Sequence, residues 1–254
     1  MNLALSRSMA VIERLAGEAD GVPLMVLATE LDLPKSAAHR ILADLIGLGY
    51  VHQDHVTERY RLSMKLVSIT QRHLSQVPLV DLAQPVLTRL AEQAGELARM
   101  SVLDEDELIW ITKAQGSKHA LRYDPDSGQT VDLLSTASGL ALLSTLNDDD
   151  ARSRLRAQPK APTGARGPGA PQSEDEFIER LAQVRSDGFA YISNSYELGI
   201  AALAAPIVDA RGSALGVVNL VGPSLRFDRE TALTHVADVQ RAAQEISAAL
   251  NTTL

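Results

Sequence analysis

The sequence contains no cysteine, a single tryptophan, and aromatic residues at only 4%. Without cysteine there can be no disulfide framework, no thiolate zinc site and no thiol nucleophile. No apolar run approaches the ~18 residues that a bilayer-spanning helix needs, and the first stretch is broken by Arg7, Glu13 and Arg14. A cytoplasmic protein with no membrane partner is expected. Catalytic signatures are missing as well: there is no Gly-x-Ser-x-Gly elbow, no His-Glu-x-x-His pair and no P-loop. Beyond residue 77 the only histidines are His119 and His235, neither in a recognisable motif. The chain is therefore not expected to be an enzyme, and no cofactor is expected. Basic excess is lacking too, since 24 Lys and Arg face 32 Asp and Glu for a net charge of −8. That balance argues against duplex DNA, whose binding depends on neutralising phosphates. The distribution reverses the argument. Up to Val77 eight basic residues balance eight acids, so the whole acidic excess belongs to the remainder.

What is present is ordinary for a globular protein: 254 residues, 45% hydrophobic and 22% charged, enough for one large domain or one small and one medium. The most informative stretch is Leu24 to Arg61. Leu27, Leu31, Leu33, Ala38 and Ile41 are spaced to close two crossed helices over a small core, with Ala28 keeping the first helix slim. The second helix is expected to start at Pro34, as a first helical position. Asp32 occupies the turn, and Asp tolerates left-handed conformations. Lys35, Ser36, Ala37, His39 and Arg40 are then left outward, and no acid interrupts them between Asp32 and Asp44. Gly49-Tyr50-Val51 ends the helix and opens a strand, and Tyr60-Arg61-Leu62 returns beside it after a polar tip at 54–58. Helix, turn, helix and hairpin together are a winged helix-turn-helix.

Before this motif, Met9, Ile12, Leu15 and Ala16 give one face of a first helix. After it, Leu62, Leu66, Ile69 and His73 mark a linker helix over 62–76. Pro85, followed by Val86, Leu87, Leu90 and Ala91 and closed by Gly95, reads as a helix starting at the proline. LARMSVL and LIWITKA flank the acidic turn 104–107 as a hairpin. Those acids, and Asp148-Asp149-Asp150, read as a solvated turn and a helix start, not as metal sites. A helix is expected over 137–146, a flexible surface loop over 157–172, a helix over 174–186, and strands near 189–194, 201–208 and 214–221. Ala232, Val236, Val239, Ala243, Ile246 and Leu250 then form one terminal amphipathic helix.

Through SRSMAVIERLA, LPKSAAHRILADLIGLGYV and YRLSMKL, and later TASGLALLSTL and VRSDGFAYISNSYELGIAALAAPIVDARGSALGVVNLVGP, the chain resembles the IclR-type bacterial transcriptional regulators. The resemblance covers nearly all of it except about 150–172. It implies an α+β protein: a winged helix-turn-helix domain over 1–63, a linker helix over 64–77, and a GAF-like effector-sensing domain with an antiparallel sheet over 78–254. Candidate DNA contacts are Lys35, Ser36, Ala37, His39 and Arg40, with Arg7 on the first helix and His55 and Arg59 at the wing. Carried over from the family, the effector positions fall at Val131, Ala137, Ser138, Ile192, Ala202, Asn219 and Val221. Ile192, Ala202 and Val221 are apolar where sensors of small keto acids hold polar groups, and Leu140 replaces a common lysine. A larger, more apolar ligand is expected, an aromatic acid or a lactone-like metabolite, oriented by Asn219 and Ser138. Partners expected are a roughly palindromic duplex operator and a second copy, as homodimer or homotetramer. Two alternatives stay open: a metal-responsive regulator using His52 and His55, and an enzyme with an appended DNA-binding domain.

Overall fold

In the computed structural model of the chain, which describes residues 3–76, 79–158 and 166–253, α1 (Leu3–Ala16) opens the first of two units, Met1–Val77 and Pro78–Leu254. The face that α1 buries differs from the expected one. Val11 and Leu15 are inside, Ile12 is half-buried, and Met9 and Ala16 are exposed. Two residues four apart form a single ridge, which is all that a helix packed against α3 and one hairpin strand requires.

α2 (Leu24–Glu30) and α3 (Lys35–Gly47) are joined by a turn in which Asp32 adopts φ 49°, the left-handed conformation, and Leu33 N–H donates to the Ala28 carbonyl at 2.8 Å. Pro34 is the cap and not the first helical residue: its carbonyl accepts from Ala37 and Ala38, so α3 begins one residue later than expected. Leu27, Leu33, Ala38, Ile41, Leu42 and Leu45 are buried, with Leu31 at the edge. Gly49 (φ 79°) turns the chain into β1 (Val51–Gln53), paired antiparallel with β2 (Tyr60–Leu62). Asp54 Oδ1 accepts from the Val56 and Thr57 amides and holds the tip. Leu62 belongs to β2, so the helix expected from 62 begins only at α4 (Lys65–Leu74). Ser63 sets that start, its hydroxyl donating to the Gly49 carbonyl and accepting from Lys65 N–H.

In the second unit α5 (Leu79–Ala94) runs straight through Pro85, the expected first residue. Proline removes one helical hydrogen bond at a cost of roughly 3 kcal/mol. Leu79, Leu82 and Ala83 offset this by extending the apolar face that Val86, Leu87 and Leu90 lay on the core. The hairpin β3 (Leu97–Asp104) and β4 (Glu107–Gln115) follows, turning at Glu105 with φ 51°. α6 (Ala137–Leu143) stops three residues short of the expected Leu146, where the Ser144 and Thr145 hydroxyls donate back to the Ala141 and Leu142 carbonyls. Asn147 then caps α7 (Asp148–Ala157), whose three acids sit at the positive end of the helix dipole.

Of the loop expected over 157–172, residues 159–165 lie outside the described residues. The rest is anchored. Gly167 and Gly169 N–H donate to the carbonyls of Ser195 and Asn194 at 2.7 Å, and a Cβ on either glycine would come within 2.3 Å of a carbonyl oxygen there. These glycines serve close approach, not flexibility. α8 (Glu174–Asp187) leads through Gly188 into β5 (Ala190–Ser193), β6 (Ile200–Val208) and β7 (Ala214–Pro223). The expected single terminal helix is two, α9 (Arg229–Thr234) and α10 (Val236–Thr253), broken at His235, whose ring stacks on Phe227.

The five strands form one antiparallel sheet in the order β4-β3-β7-β6-β5, so the protein is α+β. Strand alternation sorts the side chains onto two faces. Ala98, Met100, Ala201, Leu203, Val218 and Leu220 meet α5 and α10 on one. Ala202, Ala204, Val217 and Val221 meet α6 and α8 on the other. In β4 the alternation is broken by a bulge: Ser101 pairs with Trp110 but Met100 with Thr112, leaving Ile111 unmatched. Trp110 therefore faces α6 and α8 while Thr112 turns to α5, where its hydroxyl meets Gln84 at 2.6 Å.

Candidate functional site

Two places gather unspent chemistry, one in each unit. In the first, α3 presents Lys35, Ser36, His39 and Arg40 fully outward and Ala37 half-buried, with the opposite side of the helix committed to the core. Among the described residues these exposed side chains make no ion pair or hydrogen bond. The wing carries exposed His55, Arg59 and Arg61. Arg59 has a second commitment, since its Nη1 donates to the Gly21 carbonyl at 2.7 Å and ties the wing to the segment before α2. Arg7 is half-buried on α1. His52 lies in β1 and His55 in the wing turn; among the described residues no three His, Asp or Glu side chains are grouped to hold a metal.

The second place is a cavity on the α6/α8 face of the sheet, with about 360 Å³ of empty space including its mouth. Ala137, Ile192, Ile200, Ala202 and Val221 supply apolar wall, and Arg99, Trp110, Tyr123, Thr136, Tyr196, Glu197 and Asn219 supply polarity. Arg99 is the unusual member. It is only 1% exposed, its guanidinium lies 3.9 Å from the Trp110 ring centre, and its Nη2 reaches the Asp126 carbonyl at 3.3 Å. Burial pulls its pKa down to about 10, so it remains a cation at neutral pH. Across the β3–β7 ladder Arg99 is the register partner of Asn219, which puts both side chains on the cavity face. Tyr196 stands edge-on to Trp110 at 6.3 Å, and burial together with the neighbouring Glu197 pushes the Tyr123 hydroxyl up to about 12.

Five buried polar atoms of the described residues have no hydrogen-bond partner: Arg99 Nε, Trp110 Nε1, Asn219 Oδ1, Ser138 Oγ and Ser195 Oγ. Three belong to lining residues, and the two serines are chain neighbours of the lining residues Ala137 and Tyr196. Buried polar groups left unpaired cost roughly 1–3 kcal/mol each, so the three on lining residues, Arg99, Trp110 and Asn219, give the cavity groups that a polar ligand atom could satisfy.

Comparison with known proteins bears on both places. Residues 4–55 match the IclR helix-turn-helix domain and residues 71–248 the bacterial transcriptional regulator IclR C-terminal domain. The chain belongs to the IclR family of bacterial transcriptional regulators. It is 30% identical to the Pca regulon regulatory protein of Pseudomonas putida, over 95% of this chain and 77% of that one. The fold is shared with an IclR transcriptional regulator from Alicyclobacillus acidocaldarius, at TM-score 0.83 and 22% identity, covering 98% of this chain and 99% of that one. It is shared equally with an IclR homologue from Microbacterium hydrocarbonoxydans solved with 4-hydroxybenzoate, at TM-score 0.81 and 20% identity, with coverage of 98% and 99%.

An IclR-family protein is a DNA-binding regulator and not an enzyme, and the helix-turn-helix is its DNA-binding part. Among the described residues no helix is long and apolar enough to cross a membrane. Of the seven effector positions carried over from the sequence, Ala137, Ile192, Ala202, Asn219 and Val221 line the cavity. Val131 and Ser138 do not. Both are fully buried, Val131 bonded through its amide to the Leu108 carbonyl. The larger omission is the polar set, above all Arg99. Its signal was there to read: a lone charge inside the otherwise uncharged run Leu97–Leu103 of a strand.

Proposed function

We propose that this chain binds a specific, roughly palindromic DNA operator through α3 and the wing, and that an apolar organic acid in the second unit's cavity sets that affinity. On α3, Lys35 and Ser36 meet phosphate at the helix start, and His39 and Arg40 reach base edges, with Ala37 allowing close approach. His55, Arg59 and Arg7 contribute backbone contacts at the flanks. The observation that carries the ligand half of this reading is the group of unpartnered polar atoms around a mostly apolar cavity. The Microbacterium homologue holding 4-hydroxybenzoate supports the ligand class.

One recognition helix places few side chains on bases, so genome-wide specificity calls for two copies reading two half-sites. α4, which we take with residues 64–77 as the linker between domains 1–63 and 78–254, is a candidate seam. It buries no residue within the chain, and Leu66 and Ile69 share a half-exposed stripe while Val67 is 45% exposed. A homodimer or homotetramer acting on DNA in the cytoplasm is the resulting assembly. The test begins with selection of duplexes from a random library by the full-length protein. An enriched inverted repeat, bound by protein sedimenting as a dimer or larger, is expected; an unstructured pool bound by a monomer would contradict the reading.

A further inference from the structure

We propose that Arg99 is the anion anchor of the cavity and that the ligand it selects is a single-ring aromatic monocarboxylate, an assignment resting on the effector reading above. The argument starts from charge. A guanidinium at 1% exposure needs a counter-anion, yet no carboxylate of the described residues forms an ion pair with it. Asp124 is held by Lys113 at 2.7 Å, Asp132 by Arg166 at 2.7 Å, and Asp126 offers Arg99 only its backbone carbonyl. Glu197 is exposed, and its charge helps to raise the Tyr123 hydroxyl. The Arg99 Nε–H and the indole N–H of Trp110 are both unmatched donors, and the Trp110 ring lies beneath the guanidinium. A carboxylate brought to this corner would neutralise the cation and accept from donors that now have no partner.

The rest of the ligand follows from the walls. Ile192, Ala202, Val221 and Ala137 offer a smooth apolar surface, and Tyr196 stands edge-on, so a flat ring fits where a hydrated chain would not. The empty space, near 360 Å³ with its open mouth included, is small, which favours one ring over anything larger. Arg99 is the one cation among the lining residues, and Glu197 lies at the same cavity, so a second carboxylate would meet an acid and no base. Asn219, opposite Arg99 in the β3–β7 register, remains to bond a ring substituent or the carboxylate's second oxygen.

Calorimetric titration of the full-length protein with benzoate, 4-hydroxybenzoate, benzamide and terephthalate tests this, repeated on Arg99→Gln and Arg99→Lys. The two monoacids should bind at least about tenfold more tightly than benzamide or terephthalate. Arg99→Gln should weaken them by about a hundredfold, the effect of losing a charge-assisted hydrogen-bonded pair, while Arg99→Lys recovers part of the loss. Because the free protein carries the unpaired cation, Arg99→Gln without ligand should melt no lower than wild type. Equal binding of benzamide, benzoate binding indifferent to Arg99→Gln, or no binding by any acid would overturn the proposal. Operator affinity measured alongside separates the two claims. If benzamide binds and shifts operator affinity, the effector reading survives without the anion anchor; if benzoate binds through Arg99 and operator affinity is unmoved, the anchor survives without the effector reading.

Discussion

Truncating Leu42 to alanine should destabilise the DNA-binding unit while leaving the stability of the second unit unchanged. Leu42 is fully buried at the centre of the small core formed by α1, α2, α3 and the wing. Losing a buried leucine side chain removes its transfer free energy and leaves a cavity, about 3 kcal/mol in a site that cannot collapse. A unit of this length, Met1–Val77, has a total stability of roughly 4–11 kcal/mol on the usual per-residue scale. The substitution therefore consumes between about a quarter and most of it. Leu48→Ala is the control, because Leu48 is 60% exposed and its truncation should cost less than about 0.5 kcal/mol. Calorimetry of the full-length variants should show one transition moved down by Leu42→Ala and a second, belonging to the sheet and its helices, left in place. DNA binding should fall in step with the first. A single transition that shifts as a whole, or a Leu42→Ala cost below about 1 kcal/mol, would refute the reasoning that each unit stands on its own core.

Other outcomes follow from single contacts. Arg40→Ala should weaken operator binding more than about fivefold and binding to random duplex far less, with an unchanged melting temperature; equal losses on both DNAs would reassign Arg40 to phosphate. Gly139→Ala should destabilise the second unit and abolish ligand binding, because the new Cβ would fall 2.2 Å from the Leu133 carbonyl oxygen and push α6 off the cavity; a melting temperature within a degree of wild type would exclude that. Glu96→Ala should cost about 3–5 kcal/mol, since Glu96 is 4% exposed and the Arg226 guanidinium, which also reaches Ser117 Oγ and the Leu121 carbonyl, would lose its buried partner. Denaturant titration measures it, and a cost near zero would mean that water replaces the carboxylate.

Features decided by a few neighbouring residues were legible in the sequence. The helix-turn-helix rests on the Leu27, Leu33, Ala38 and Ile41 spacing, on Asp32 accepting a left-handed turn and on Pro34 at the helix start, each of them local. The strands of the sheet announced themselves by alternation and by Gly188 and the acidic turn after Leu103. Features set by partners distant in the chain were not. Pro85 reads as a helix start until the core that Leu79 and Leu82 cover is known. Gly167 and Gly169 read as flexible until Asn194 and Ser195 are seen against them. The same limit hid the main polar group of the cavity. Which way Arg99 points depends on its pairing with Asn219, and what it meets depends on the bulge that turns Trp110 to the same face.

The central claim, that the second unit's cavity governs DNA binding by the first, is tested most directly by titrating a selected operator with full-length protein by fluorescence anisotropy, at fixed salt, with and without saturating 4-hydroxybenzoate. A coupling of the usual size, about 1–3 kcal/mol, predicts an operator Kd changed by between about fivefold and a hundredfold. By reciprocity, operator should change the protein's affinity for the acid by the same factor. An operator Kd identical in the two titrations, with calorimetry showing the cavity filled, would contradict the account.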